Sequence, residues 1–427
     1  MSKMEGMKLA PPAERKSASA AVSTAANDAT PPSTGSPPAR SATARLVSLD
    51  AYRGFIMLML ASSGFGLVKL AKTVPSPVTE FLAGQMQHVA WRGYAFWDLI
   101  QPAFMFMVGV SMPFSYGARR ARGATWGQML WHALVRSIIL VFLGLLLASH
   151  ATPAVNYKFT NVLAQIGLGY TFLFLIWSLG PTVQSLAIVA ILASYGWLFY
   201  QHPLPDREQW PDDGVTQQDS DDGAIIEGPG APWSKGINFA AEQDRRFLNL
   251  FPRNKPFVFD AGGYQTLNFV PSLATMLLGV LAGELLRSSV GARGRILWLV
   301  VGGAVCLAAG MALDMTVLPS VKRIWTPSWV LVSGAWTLWM LAAFYAVIDV
   351  GGWWRWSMPL VVVGCNSIVM YLMSQLIDEW IAGNVRKVAG DDAFAGDYGP
   401  LMLSASVVAV EWLVCVWLYR QKLFVRI

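Results

Sequence analysis

Residues 295–315 read RILWLVVGGAVCLAAGMALDM, and no charged residue stands between Arg295 and Asp314. An α-helix of about 20 apolar residues crosses the roughly 30 Å hydrocarbon core of a bilayer. A strand of a membrane β-barrel would alternate apolar and polar residues over about ten positions, whereas this run is continuously apolar. The stretch therefore predicts a membrane-spanning α-helix.

Nine further stretches have the same character, so the sequence predicts an all-α polytopic membrane protein with about ten transmembrane helices. Of the 427 residues, 54% are hydrophobic and 14% charged, against roughly 45–50% and about 25% in soluble domains. The three cysteines lie within apolar runs and indicate neither a disulfide framework nor a zinc site, and we expect no metal. The predicted spans lie near residues 49–71, 95–116, 127–149, 160–180, 183–201, 267–287, 295–315, 326–349, 358–381 and 400–420.

Residues 1–44 are rich in Ala, Ser, Thr and Pro, which predicts a disordered cytoplasmic tail ahead of a transmembrane domain over residues 45–427. The tail lacks the continuous apolar stretch of a secretory signal, so we expect it to be retained. We expect a bacterial inner-membrane protein, and Lys and Arg in the short loops favour an orientation with both termini in the cytoplasm. They also account for the net charge of +6, so we expect no nucleic-acid partner.

This orientation makes residues 202–266 an extracytoplasmic loop. Its first half is acidic and rich in Gly and Pro, which is typical of a solvated, mobile segment. Its second half, residues 247–264, mixes aromatic residues with Arg253 and Lys255, and we expect it to fold against the membrane domain. A GxxxG pattern at Gly279 and Gly283 predicts two closely packed helices.

Ionisable residues in or beside a spanning helix are costly and so are candidates for function, with snorkelling at helix ends as the alternative. At the start of the first span, Ser48 is a predicted N-cap, and Asp50 and Arg53 are spaced to pair on one helix face. The free N–H groups of this helix terminus could hold an anion. A structural ion pair and a ligand site are equally open here.

A second cluster is His88 with Trp91 and Arg92, followed by Asp98 at the outer mouth of the next span. A carboxylate that fixes the tautomer of an imidazole makes it a general base or a nucleophile. A polar anchor at the interface is the alternative. Further polar residues enter later spans and predict either interhelical hydrogen bonds or a polar cavity; they are Asn161, Gln165, Gln265, Thr266, Asn268, Lys322, Trp325, Thr326, Ser328, Asn366 and Ser367.

At these residues the sequence resembles the heparan-α-glucosaminide N-acetyltransferase family of transmembrane acetyltransferases. Over residues 45–382 the blocks follow the family's order: RLVSLDAYRGFIMLML at residues 45–60, HVAWRG at 88–93, DLIQP at 98–102, VLAQIGLGY at 162–170, WTPS at 325–328 and GCNS at 364–367. The chain departs from the family at Arg92, Gln101 and the pair Ala164–Gln165, and it carries an acidic insertion after the fifth span. These departures bear on the acceptor more than on the reaction.

The resemblance implies transfer of an acetyl group from cytoplasmic acetyl-CoA to an amino sugar or envelope glycan outside. It implies that His88 and Asp98 are catalytic. We assign acetyl-CoA to Ser48, Asp50, Arg53, Gln165, Asn366 and Ser367, and the acceptor to Trp91, Arg92, Lys322, Trp325 and Thr326. The alternatives are a transporter or flippase for a sugar, and a catalytically inactive scaffold. Expected partners are the small-molecule or glycan acceptor and membrane lipid, with a homodimer left open.

Overall fold

The computed structural model describes residues 46–425, so the predicted tail of residues 1–44 lies outside the described residues. Within the described range the chain forms helices, and the only strand-like pairing is an isolated antiparallel bridge between Arg92 and Val321. The α-helices are α1 (Val47–Ala61), α2 (Leu67–Thr73), α3 (Pro77–Gln85), α4 (Ile100–Ala121), α5 (Trp126–Ser149), α6 (Val162–Trp177), α7 (Pro181–Gln201), α8 (Gln217–Asp221), α9 (Phe239–Leu248), α10 (Phe269–Arg287), α11 (Ala292–Asp314), α12 (Pro327–Phe344), α13 (Met358–Cys365), α14 (Ser367–Leu376), α15 (Asp378–Ala389) and α16 (Gly399–Arg420).

The predicted all-α polytopic fold is confirmed. Seven helices within residues 46–425 are long and apolar enough to cross a membrane, or up to nine if each of two bent pairs is one span. One pair bends by 45° after α1, and the other bends by 68° between α13 and α14. Together with the shorter apolar helix α6, these segments lie at the ten predicted positions.

Glycines let the central helices α4 and α10 approach at backbone distance. A Cβ atom built on Gly279 would lie 2.0 Å from the carbonyl oxygen of Phe106, and one on Gly283 would lie 2.5 Å from that of Val110. Gly109 faces Met276 in the same way, at 1.9 Å. The predicted close approach at the GxxxG pattern is therefore confirmed, and it fixes the helix that follows Asp98 against α10.

The start of α1 differs from the prediction. The helix begins at Val47, and Ser48 is a buried helical residue rather than the N-cap. The carboxylate of Asp349 accepts hydrogen bonds from the backbone N–H groups of Val47 at 3.1 Å and Ser48 at 3.2 Å. Asp349 lies in a π-helical turn, Tyr345–Val350, that continues α12. Asp349 therefore occupies the backbone N–H groups that we predicted would be free to bind an anion.

The segment 202–266 is folded, including the acidic half for which we predicted a mobile chain. Asp219 is buried and accepts a hydrogen bond from Lys235 at 2.5 Å, while Asp213 pairs with Arg245 at 2.8 Å. Trp233 stacks on Phe199 of α7 with ring centroids 4.4 Å apart. Asp213 and Asp219 thus neutralise basic partners beside a small apolar core that rests on the membrane helices.

The second half of this segment packs as predicted against the membrane domain. Phe251 stacks on Tyr157 at 4.9 Å, and Arg253 donates to the backbone carbonyl oxygen of Tyr157 at 2.5 Å. Farther along the chain, Arg323 donates to the carbonyl oxygen of Gly262 at 2.7 Å. These contacts tie the segment to the loops on the same side of the helices as His88.

Candidate active site

Asp98 is the centre of a turn that precedes α4. One of its carboxylate oxygens, Oδ2, accepts from the backbone N–H groups of Ala95 at 3.0 Å and Val89 at 3.4 Å. The other, Oδ1, lies 2.7 Å from His88 Nδ1. The side chain of Asp98 is 1% exposed and that of His88 is 41% exposed. The carboxylate is therefore held rigidly while the imidazole that it orients stays accessible, which is the arrangement predicted for an oriented base or nucleophile.

Lys322 completes this site from the loop between α11 and α12. Its ammonium nitrogen lies 3.1 Å from Asp98 Oδ1 and 3.0 Å from His88 Nδ1, and its side chain is 5% exposed. Backbone pairing brings the two loops together, because Arg92 bridges Val321 and the N–H of Gly93 donates to the carbonyl oxygen of Ser320. The predicted acceptor ligand Lys322 is thus placed beside the predicted catalytic pair.

Three of the predicted acceptor residues support these loops from inside. Trp91 is buried and donates from Nε1 to the carbonyl oxygen of Trp233 at 3.0 Å. Trp325 is buried, has a left-handed backbone with φ 50°, and donates to Thr275 Oγ1 at 3.2 Å. Thr326 is buried and caps α12 by accepting from the N–H of Trp329. All three side chains make hydrogen bonds within the fold, and their contact with an acceptor stays a prediction.

Open space lies along the loop that carries His88. A cavity of about 440 Å³ is lined by Ala90, Trp91 and Arg92 on one side and by residues 222–223 and 225–227, which include Asp222 and Glu227, on the other. A second cavity, of about 280 Å³, shares Ala90 and Asp222 with the first. The guanidinium of Arg92, about half exposed, lies 3.9 Å from Asp314. Of the predicted acceptor residues, Arg92 is the one whose side chain is both exposed and part of a cavity wall.

The predicted acetyl-CoA residues of α1 lie toward the other end of the bundle. Arg53 contacts Asp50 Oδ1 at 3.4 Å, donates to Ser111 Oγ on α4 at 2.8 Å and donates to the carbonyl oxygen of Gly364 at 3.4 Å. Ser111 is 13 residues beyond Asp98, which corresponds to roughly 20 Å along a helix. The Asp50–Arg53 pair is present, and it is separated from His88 by most of the length of the span.

The remaining predicted acetyl-CoA residues are divided between the two ends. Asn366 sits at the break between α13 and α14, donates to the carbonyl oxygen of Leu423 at 3.1 Å and accepts from the N–H of Val425 at 3.0 Å. Ser367 begins α14 beside it. Gln165 instead donates to the carbonyl oxygen of Gln265 at 3.2 Å, on the His88 side. The predicted set therefore forms two groups rather than one site.

Basic residues that were not predicted to belong to a site lie in the same half of the bundle as Arg53. Arg136 stacks over Tyr170 at 4.6 Å, and Arg295 donates to Tyr345 at 3.1 Å. Among the described residues, the buried Nε atoms of Arg136 and Arg295 have no hydrogen-bond partner. Arg119 and Arg287 also lie in this half, at the last turns of α4 and α10. Guanidinium groups with donors to spare suit phosphate recognition.

These features define a class: a multi-pass, all-α membrane protein with an accessible histidine fixed by a buried carboxylate at one end of its helices. The chain is 22% identical to heparan-α-glucosaminide N-acetyltransferase of Mus musculus, across 91% of this chain and 61% of that protein. It is 21% identical to the Homo sapiens protein of the same name, across 90% and 60% of the two chains.

The similarity is low in identity but wide in coverage, and it supports the heparan-α-glucosaminide N-acetyltransferase-like family that the sequence motifs indicated. The chain spans about 60% of the length of these two relatives. No family model matches it.

Proposed function

We propose that this chain is a transmembrane acetyltransferase that moves an acetyl group from cytoplasmic acetyl-CoA to the amine of an amino sugar or envelope glycan outside. The observation that carries the proposal is the 2.7 Å contact between the accessible His88 and the buried Asp98. The names of the two relatives support the reaction class. The identities of the acetyl donor and of the acceptor are proposed here.

His88 would act through Nε2, because within residues 46–425 its hydrogen bonds reach only Nδ1. In direct transfer, the acceptor nitrogen bonds to the acyl carbon, the C–S bond breaks with departure of the thiolate, and Nε2 takes the proton that the amine loses. In two-step transfer, Nε2 first bonds to the acyl carbon while the C–S bond breaks and the thiolate departs. The amine nitrogen then bonds to that carbon, the C–Nε2 bond breaks, and the freed Nε2 takes the proton that the amine loses. Acid quenching with labelled acetyl-CoA and no acceptor separates the routes, since only the second labels the protein.

The donor fits the basic end of the bundle. Acetyl-CoA supplies an acetyl thioester on a long arm that carries anionic phosphates, and the guanidinium groups near Arg136 and Arg295 could hold those phosphates. The cap of α1 by Asp349 makes that helix terminus a poor phosphate site, because a second anion would face the carboxylate at short range. Arg53 lies between the basic end and His88, beside the path that the arm would take.

The acceptor fits the cavities along residues 90–92. Asp222 and Glu227 line the larger cavity and are carboxylates suited to an ammonium group, while Arg92 faces them from the His88 loop. The folded segment 202–266 thus provides one wall of the acceptor site. Because this segment departs from the family pattern, it would set which glycan is accepted.

The decisive experiment uses protein reconstituted in liposomes, with labelled acetyl-CoA on one side and glucosamine on the other. Label in the sugar supports the proposed acetyl transfer. Sugar uptake without acetylation would instead favour a transporter, and neither result in the presence of folded protein would favour an inactive scaffold. Empty liposomes measure leakage of both substrates.

We expect both termini to lie in the cytoplasm, because the basic residues of the short loops favour that side. A reporter enzyme that works only outside the cytoplasm should be silent when fused after Ile427. The same reporter inserted in the 202–266 segment, after Asp222, should be active. Activity of the Ile427 fusion would contradict the orientation and with it transfer across the membrane.

Arg53→Ala is expected to weaken acetyl-CoA binding by roughly 10-fold or more, since hydrogen bonds to a charged group contribute about 1.5–3 kcal/mol. Thermal stabilisation of the purified protein by acetyl-CoA measures the change. Lys72→Ala, at an exposed position of α2, is the control. Unchanged stabilisation in a folded Arg53→Ala protein would show that Asp50 and Arg53 form a structural pair only.

A further inference from the structure

The three polar atoms of the site form a triangle whose sides cannot all be hydrogen bonds while Lys322 is an ammonium ion. Asp98 Oδ1 can only accept, and His88 Nδ1 either carries one proton or offers one lone pair. The sides are 2.7 Å from Nδ1 to Oδ1, 3.0 Å from Nδ1 to Lys322 Nζ and 3.1 Å from Nζ to Oδ1. Each short contact on Nδ1 therefore requires a different position of the histidine proton.

When Lys322 is an ammonium ion, it has only donors to offer. When it donates to both Oδ1 and Nδ1, the lone pair of Nδ1 is occupied, so the proton of a neutral His88 sits on Nε2 and the 2.7 Å side is not a hydrogen bond. When Lys322 has lost a proton, its lone pair can face Nδ1–H, and that N–H donates to Asp98. Nε2 then has a lone pair and can accept a proton or an acyl group.

We propose that Lys322 is a positioning residue that selects the tautomer of His88, so that its ammonium form keeps Nε2 protonated and its neutral form frees Nε2. This inference rests on the proposed acetyl transfer for its consequence but not for its geometry. It replaces the direct acceptor contact predicted for Lys322 with an action through His88.

The surroundings of Lys322 make its neutral form accessible near physiological pH. Burial lowers the pKa of Lys322 to about 8, although the carboxylate of Asp98 opposes this shift, and the guanidinium of Arg323 lowers the pKa further. Beyond Arg323 lie Tyr264 and Asp260, and Asp260 pairs with Lys158 at 2.5 Å. On the paired loop, the guanidinium of Arg92 faces Asp314. The direct neighbours of the ammonium group are thus Asp98, His88 and Arg323.

The first test compares two substitutions by their pH–rate profiles. The wild-type rate should rise with pH through about 8, as Lys322 loses its proton. Lys322→Met has no ammonium group, so the part of this rise that comes from Lys322 should disappear, leaving only that of the acceptor amine. The rate near pH 7 should then be a larger fraction of the maximum. Lys322→Arg keeps a charge throughout and should lose at least roughly tenfold in rate at every pH, part of the 10²–10⁴-fold that acid–base catalysis supplies.

Two outcomes of this comparison would overturn the proposal. A Lys322→Arg protein with the wild-type rate and profile would show that Lys322 is only a counter-ion for Asp98. A Lys322→Met protein with a raised acceptor KM and an unshifted profile would restore the direct acceptor contact.

The second test needs neither activity nor a substitution of Lys322. The chain has four histidines, so nitrogen-15 labelling of histidine gives few NMR signals, and His88→Gln identifies those of His88. Between about pH 7 and 9.5, wild-type His88 should change from protonated Nε2 to protonated Nδ1. A constant tautomer over this range contradicts the proposal even if transfer is observed. A tautomer change in a protein that transfers no acetyl group would instead count against the proposed function alone.

Discussion

His88→Ala and His88→Asn should lose acetyl transfer by at least roughly 10²–10⁴-fold while the protein stays folded. The loss follows because the imidazole is the accessible acid–base group of the site, and such a group supplies rate factors of this size. Folding should survive because the side chain is 41% exposed and contributes little core packing. Transfer of label from acetyl-CoA to glucosamine measures the loss, with melting temperature as the check on folding.

His150→Ala is the matched control, since His150 lies at the end of α5 and bonds only the carbonyl oxygen of Leu147 within the described chain. It should transfer acetyl groups at the wild-type rate. Near-wild-type transfer by His88→Ala would rule out His88 as base or acyl carrier and direct attention to Asp98 and Lys322. Asp98→Asn is a less clean test, because it leaves the buried Lys322 without its charge partner.

Gly279→Ala should destabilise the membrane domain by at least about 1–3 kcal/mol, the usual cost of overpacking a core. The added Cβ atom would lie 2.0 Å from the carbonyl oxygen of Phe106, and a backbone atom within a packed helix cannot move aside cheaply. The melting temperature and the yield of monodisperse protein in detergent both report the effect. Gly127→Ala is the control, because a Cβ atom there meets nothing within 4 Å.

The control substitution should leave stability unchanged or raise it, because alanine favours helix over glycine by up to about 1 kcal/mol. If Gly279→Ala were as stable as Gly127→Ala, α4 and α10 would be free to separate. The position of Asp98 would then depend on its own loop rather than on helix packing.

Hydropathy predicted the spans well because lipid contact demands a continuous apolar surface whatever the interior contains. The bends within two spans were not predictable from hydropathy. The first bend depends on positive φ angles at residues 63–66. The second depends on the non-helical backbone of Asn366, with φ −127° and ψ 37°. The folded state of residues 202–222 was missed because its stability comes from distant partners such as Lys235 and Arg245, rather than from local composition.

The candidate site was predictable only where its residues are close in sequence. His88 and Asp98 are ten positions apart and stand in one motif, so their pairing could be proposed. The sequence analysis assigned Lys322 to the acceptor and did not predict its contact with Asp98, because 224 positions separate the two residues. Asp349 was missed for the same reason, since local capping rules consider only the residues next to the helix terminus.

The bridge between Arg92 and Val321 joins two loops that are synthesised at different times. The ribosome reaches Lys322 224 residues after Asp98, which at 5–20 residues per second corresponds to roughly 10–45 s. During that interval α4 is already made, while Asp98 has as partners only its own loop, through Val89, Ala95 and His88. A nascent chain therefore carries the carboxylate of Asp98 without its lysine partner until the loop after α11 has been made.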